Sequence, residues 1–298
     1  MTGRIIKATG GFYYVQCNNG ITDEIISCRA RGLFRLEDKS PHVGDIVDIT
    51  IAPEDGGGTV SRIHTRKNEL MRPPLSNLDY MALIVSAFDP APNYLVIDKL
   101  LAILEHKEIP ALIVITKPDL ADATGIQAIY ESAGYPVFVV NNLTRDGVDN
   151  LLREMSGKLN ALCGNSGVGK SSLLNAINPK LAIAVGDTSR KLGRGRHTTR
   201  HVEIFTLDDG TQIADTPGFS SVDLLMMSEI RAHELSDCFV EFAEHAPEGC
   251  RFLDCKHVAE HGCAVRDAVN SGKISQSRYR SYCALYDEIK DVKEWERK

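Results

Sequence analysis

The chain has 298 residues, enough for two or three domains. Its 43% hydrophobic and 25% charged content suits folded domains, no run of about 18 apolar residues offers a membrane span, and the first residues lack the apolar core of a secretory signal, so a cytoplasmic protein is expected. A formal net charge of −6 argues against indiscriminate nucleic-acid binding, so any RNA contact must come from local basic patches.

Residues 1–68 read as short strands broken by turns. RIIKAT, FYYVQC, EIISCRA, DIVDITI and TVSRIH are strand-like, and NNG and EDGGG punctuate them. Five short strands in so short a segment suggest a small β-barrel of the OB type, with another kind of small β domain as the alternative. Nine Lys or Arg against eight Asp or Glu leave it nearly neutral, so composition does not make it an RNA binder. MRPPLSN, residues 71–77, reads as a proline-bearing linker.

From residue 80 the pattern changes. YMALIVSAF, ALIVIT and PVFVV are continuous apolar runs with helical stretches between them, as parallel strands buried on both faces require. The alternation continues through LNALC, the helix after Lys170, and the strands VEIFTL and TQIAD around a DDG turn. Beyond about residue 226 the chain turns helical and carries its late cysteines. The predicted domains are a barrel over 1–68, an α/β nucleotide-binding domain over 69–225 and a mainly helical metal-binding domain over 226–298.

GNSGVGKS, residues 164–171, fits GxxxxGK[ST], follows an apolar strand and opens the helix SSLLNAI. Gly164, Gly167 and Gly169 let backbone N–H groups close around phosphate oxygens at a helix N-terminus, with Asn165, Ser166, Val168 and Ser172 completing the cradle. Lys170 would hold the β and γ phosphates, and the Ser171 hydroxyl would bind Mg²⁺. A glycine-rich turn without a ligand is the alternative, and the flanking strand and helix weigh against it.

The phosphate loop does not choose between ATP and GTP. TKPD, residues 116–119, does: the Asp119 carboxylate can accept from two guanine edge donors, while Thr116 and Lys117 belong to the same loop. DTPG, residues 215–218, follows the strand TQIA; Asp215 would sit near Mg²⁺ and the Gly218 N–H would meet the γ phosphate. Each motif is weak alone, and three at strand ends are strong together. Their order is reversed relative to an ordinary G domain. Moving residues 78–157 behind 158–225 restores that order, so the chain is predicted to be a circular permutant.

RKLGRGRHTTRH, residues 190–201, holds five Lys or Arg and no acid. A G domain keeps here the Thr that ligates Mg²⁺: Thr199 is the choice and Thr198 the alternative. The loop is read as a phosphate-seeking surface, with rRNA as the candidate, against a merely solvated charged loop. Phe219 stands where Ras-like enzymes place a water-orienting Gln. His197 either takes that role or contacts phosphate or RNA.

Cys250-x4-Cys255-x-His257-x5-Cys263 holds four good Zn²⁺ ligands within 14 residues, which suits a closed structural site. His261 competes with His257 as the nitrogen ligand. Tyr279, Tyr282, Tyr286 and Ile289 recur at helical spacing and read as core packing before RNA stacking.

TKPD, GNSGVGKS, GRHTTR, DTPGF and the C-x4-C-x-H-x5-C cluster, in that order, resemble the RsgA family of circularly permuted GTPases over essentially the whole chain. The resemblance implies an OB-fold, a permuted G domain and a C-terminal zinc domain. It implies GTP, GDP, Mg²⁺ and one structural Zn²⁺ as ligands, and late assembly of the small ribosomal subunit as the task, with hydrolysis stimulated by that subunit and its rRNA. It favours His197 as the hydrolysis-promoting residue. No membrane partner and a monomeric chain are expected. One departure stands out: Asn141-Asn142 occupies a position where the family has small Ser or Ala residues. Either base affinity is altered or the amides contact the guanine O6. Two rival readings remain at this point: a GTP-controlled RNA-binding switch that does not hydrolyse, and a GTPase of the large subunit.

Overall fold

The computed structural model describes residues 1–18, 23–31, 34, 40–51, 57–179, 202–215 and 229–292. The expected strands of the first segment form as β1 (Thr2–Thr9), β2 (Phe12–Asn18), β3 (Asp23–Ala30), β4 (Ile46–Ile51) and β5 (Gly58–Ile63). They pair in the order β1-β2-β3-β5-β4, and β4 pairs back to β1 through Thr2↔Asp48, closing the sheet. Side-chain alternation sends Ile5, Val15, Ile26, Val47, Ile49 and Val60 inside. The barrel is of the OB type.

The proline-bearing stretch is a hairpin and not a loose linker. β6 (Glu69–Met71) pairs antiparallel with β7 (Pro74–Ser76). Leu70, Leu75 and Leu78 are fully buried, and Val43 bridges Leu75. The leucines weigh more than the prolines: they drop into the seam beside the barrel. There the buried Asp45 carboxylate accepts from Ser76 Oγ at 2.7 Å and from Arg66 Nε at 2.8 Å.

The central sheet comprises β8 (Tyr80–Ser86), β9 (Ala111–Thr116), β10 (Val137–Val140), β11 (Leu159–Cys163), β12 (Glu203–Thr206) and β13 (Gln212–Asp215), in the order β10-β9-β8-β11-β13-β12. All neighbours run parallel except β12, which forms a hairpin with β13. The continuous apolar runs divide by alternation between two cores. Met81, Leu83, Val85, Ile113 and Ile115 meet α1 (Tyr94–His106) and α2 (Thr124–Ser132). Ala82, Ile84, Leu112 and Val114 meet α3 (Val148–Met155) and α4 (Lys170–Ile177). β12 also pairs with β1 at Lys7↔Glu203, so barrel and central sheet are continuous; the Lys7 ammonium lies 3.0 Å from the Glu203 carboxylate.

The last segment consists of two 3-10 turns, Leu235–Cys238 and Val240–Phe242, then α5 (Ala246–Gly249), α6 (Ala264–Asn270) and α7 (Gln276–Ile289). Among the described residues no helix is long and apolar enough to cross a membrane. Arg278 on α7 is 1% exposed. Its Nε and Nη2 donate to Glu241 at 2.8 and 3.0 Å, and its Nη1 donates to Asp98 on α1 at 2.8 Å. The guanidinium also lies 4.5 Å from the Phe239 ring centre. This ion cluster bolts the C-terminal helix to the central domain. Arg278→Ala strands two buried carboxylates, so it should cost about 3–5 kcal/mol, seen as a lowered chemical-denaturation midpoint. A change of only a few tenths would show that the cluster is not a structural bolt.

Candidate nucleotide site and metal centre

Parallel strands deliver their following loops to one edge of a sheet, and ligands bind there. Here that edge receives Thr116–Asp119 from β9, Asn141-Asn142 from β10, Gly164–Ser171 from β11 and Asp215 at the end of β13. The permuted motifs therefore converge although the chain visits them out of order. Thr198, Thr199, His197, Gly218, Phe219 and the basic loop 190–201 lie outside the described residues.

The phosphate loop is shaped by its glycines. A Cβ on Gly164 would stand 2.5 Å from the Ile84 carbonyl, and Gly169 has φ +98°, which favours glycine. The loop ends at the N-terminus of α4, where Ser171 is buried. Lys170 Nζ donates to the Asn165 carbonyl at 2.7 Å and to the Gly164 carbonyl. Its ammonium thus lies across the loop. Beneath it, burial pushes the Cys163 thiol up to about 12, which keeps it protonated and inert.

Side chains of the loops after β9 and β10 hold the carbonyls of the loop after β11. Lys117 Nζ donates to the Gly167 carbonyl at 2.8 Å and to the Asp89 carbonyl. Thr116 Oγ1 donates to the Val168 carbonyl at 2.5 Å. Asn142 Nδ2 donates to the Gly169 carbonyl at 3.2 Å. Asn141 serves Asp119: its Nδ2 donates to Asp119 Oδ1 at 3.3 Å. Its own Oδ1 accepts from Leu143 N at 2.8 Å and Thr144 N at 3.2 Å, fixing the turn after β10. Nothing in the sequence announced the Asp89 contact, because it is made by a backbone carbonyl.

In the last segment, Cys250, Cys255, His257 and Cys263 bring their ligand atoms within 4.8 Å of one another. His257 Nδ1 stands 3.6 Å from Cys250 Sγ and 3.4 Å from Cys263 Sγ. A tetrahedral ion with metal–sulfur bonds of about 2.3 Å needs ligand separations of about 3.8 Å, so the donor set fits one metal. His261 is exposed and is not part of the group. The loop is pinned by the tyrosine stripe: Tyr279 Oη donates to the His257 carbonyl at 2.9 Å and Tyr282 Oη to the Lys256 carbonyl at 2.6 Å. The Glu260 carboxylate accepts from the backbone N–H of Lys256, Val258 and Ala259. Those three bonds help hold its carboxyl below the usual range against the opposing effect of burial.

Comparison with known proteins agrees with this geometry. The family model "RsgA GTPase" matches residues 63–225, and the model "RsgA N-terminal domain" matches residues 2–60. The small ribosomal subunit biogenesis GTPase RsgA of Agathobacter rectalis is 40% identical over 302 residues, covering 98% of this chain and 99% of that protein. Its namesake from Geobacillus sp. (strain WCH70) is 43% identical over 297 residues, 98% of each chain. Among solved structures, YjeQ from Thermotoga maritima is 33% identical, with a TM-score of 0.80 over 98% of this chain and 99% of that one. YloQ, described as a circularly permuted GTPase, is 37% identical, with a TM-score of 0.80 over 98% and 96%. With residues 164–171 behind residues 116–119 in sequence and beside them in space, this chain belongs to the RsgA family of circularly permuted GTPases and is a GTP hydrolase.

Proposed function

We propose that this GTPase binds the small ribosomal subunit and acts in its late maturation, and that it hydrolyses GTP at the sheet edge formed by residues 116–119, 141–142 and 164–171. The observation that carries the site is the set of hydrogen bonds from Lys117, Thr116 and Asn142 to three consecutive carbonyls of the phosphate loop. They join base reading to phosphate holding. The subunit is the one that the relatives' names give.

In this reading Asp119 accepts from the guanine edge, steadied by Asn141. The N–H groups of Gly164, Asn165, Ser166, Gly167, Val168, Gly169, Lys170, Ser171 and Ser172 surround the phosphates. The Lys170 ammonium leaves its loop carbonyls for the β and γ oxygens and stabilises the charge that develops on them. Ser171 and Thr199 would hold Mg²⁺, with Asp215 near it, and the ion when bound would neutralise phosphate charge. The Gly218 N–H meets the γ phosphate, and His197 directs the attacking water in place of the missing Gln. Zinc is the metal proposed for Cys250, Cys255, His257 and Cys263, on their donor set. The domain division at 68 and 225, a monomeric chain, rRNA as the surface met by residues 190–201 and a cytoplasmic location complete the proposal.

Turnover measured with separated ribosomal subunits tests the function. Intrinsic hydrolysis should be slow and the small subunit should accelerate it, by about 10³-fold if the stimulation works as supplied catalytic groups do elsewhere. Stimulation by the large subunit alone would overturn the reading. The base assignment has its own test: Asp119→Asn should trade GTP for xanthosine triphosphate, because the altered edge suits the complementary base. Wild-type protein binding ATP as tightly as GTP would contradict it.

A further inference from the structure

The two neighbouring asparagines after β10 make different contacts. Asn141 turns towards Asp119. Asn142 turns the other way, and its Nδ2 donates to the Gly169 carbonyl at 3.2 Å. That carbonyl also accepts the first intrahelical bond of α4, from Leu173 N at 2.8 Å. Asn142 therefore holds the residue at which the phosphate loop becomes a helix. The fit is close: a Cβ on Gly169 would lie 3.0 Å from Asn142 Nδ2 and 3.5 Å from Thr116 Oγ1. The opposite amide orientation would set Oδ1 against a carbonyl oxygen, so the donor assignment follows from chemistry. Asn142 Oδ1 is buried and has no hydrogen-bond partner among the described residues.

We infer that Asn142 is a positioning residue that ties the turn after β10 to the N-terminus of α4, setting the phosphate loop from the base-reading side rather than reading guanine. The inference rests on the nucleotide site proposed above. Its physical content is a division of labour. Asn141 and Asp119 serve the base; Lys117, Thr116 and Asn142 hold the carbonyls of Gly167, Val168 and Gly169 in turn. With those carbonyls held, the conformation of the loop is set before any nucleotide arrives, so less ordering remains to be done on binding.

The test separates phosphate from base. Asn142→Ala should weaken GDP and GTP about fivefold, as loss of one such hydrogen bond predicts. GMP, which lacks the β phosphate, should bind as before, and the preference for GTP over ATP should persist. Asn142→Asp keeps the size of the side chain but removes the donor, and should lose GDP affinity at least as far. Equal losses for GMP and GDP, a collapsed GTP over ATP preference, or unchanged GDP affinity in both variants would each overturn the inference. Asp119→Asn, run alongside, reports on the site itself. If it does not exchange guanine for xanthine the nucleotide site is misassigned, whereas a clean exchange with an unaffected Asn142→Ala defeats the positioning role alone.

Discussion

Lys170→Ala should lower the turnover of GTP by about 10²–10³ or more while leaving the fold intact. The magnitude is that of removing one preorganised positive group from a centre where charge develops. The fold should survive because the described contacts of the ammonium include the loop carbonyls of Gly164 and Asn165, which lie outside both hydrophobic cores. Ser171→Ala should have a comparable effect by a different route, since it removes a hydroxyl proposed as a metal ligand. Single-turnover hydrolysis at saturating nucleotide, beside circular dichroism, measures both. Near-normal turnover in both variants would mean that GTP is handled elsewhere on the chain.

Cys255→Ala should empty the metal centre and unfold the segment around it. Structural zinc in small domains contributes about 10–16 kcal/mol of apparent binding free energy at neutral pH, and that energy supports the fold. Three of the four ligands lie in a loop with no regular structure of its own, and the fourth, Cys263, caps α6. Among the contacts that also hold the loop are the hydroxyl bonds from Tyr279 and Tyr282, the Glu260 carboxylate and the Arg266 guanidinium on the Glu260 carbonyl. Loss should therefore spread from residues 250–263 into α7 and loosen the Arg278 cluster against α1. Metal analysis should fall from one zinc per chain to none, and amide exchange should rise over α6 and α7 while β8, β9 and β11 stay protected. A Cys255→Ala protein with full zinc would contradict the ligand set.

The sequence by itself determined which chemistry the chain carries and in what order. The phosphate loop, TKPD and the cysteine cluster are local patterns in which residue type and spacing are dictated by the ligand, so they are legible without coordinates. The barrel strands and the parallel sheet were legible too, because period-2 alternation and two-faced burial write themselves into runs such as FYYVQC and ALIVIT. What tertiary structure decided is everything that depends on two distant segments meeting. The choice of His257 over His261 turns on which ring reaches three sulfurs. The hairpin at residues 69–76 forms because a seam beside the barrel accepts Leu70 and Leu75, which no local proline rule foresees. Arg278 looks like one more surface charge on a helix until Asp98 and Glu241, 180 and 37 positions away, close on it. Nothing local to Asn142 shows that its amide reaches the Gly169 carbonyl, 27 positions away. Local pattern carries no register between remote segments, and a hydrogen bond about 3 Å long is decided by that register alone.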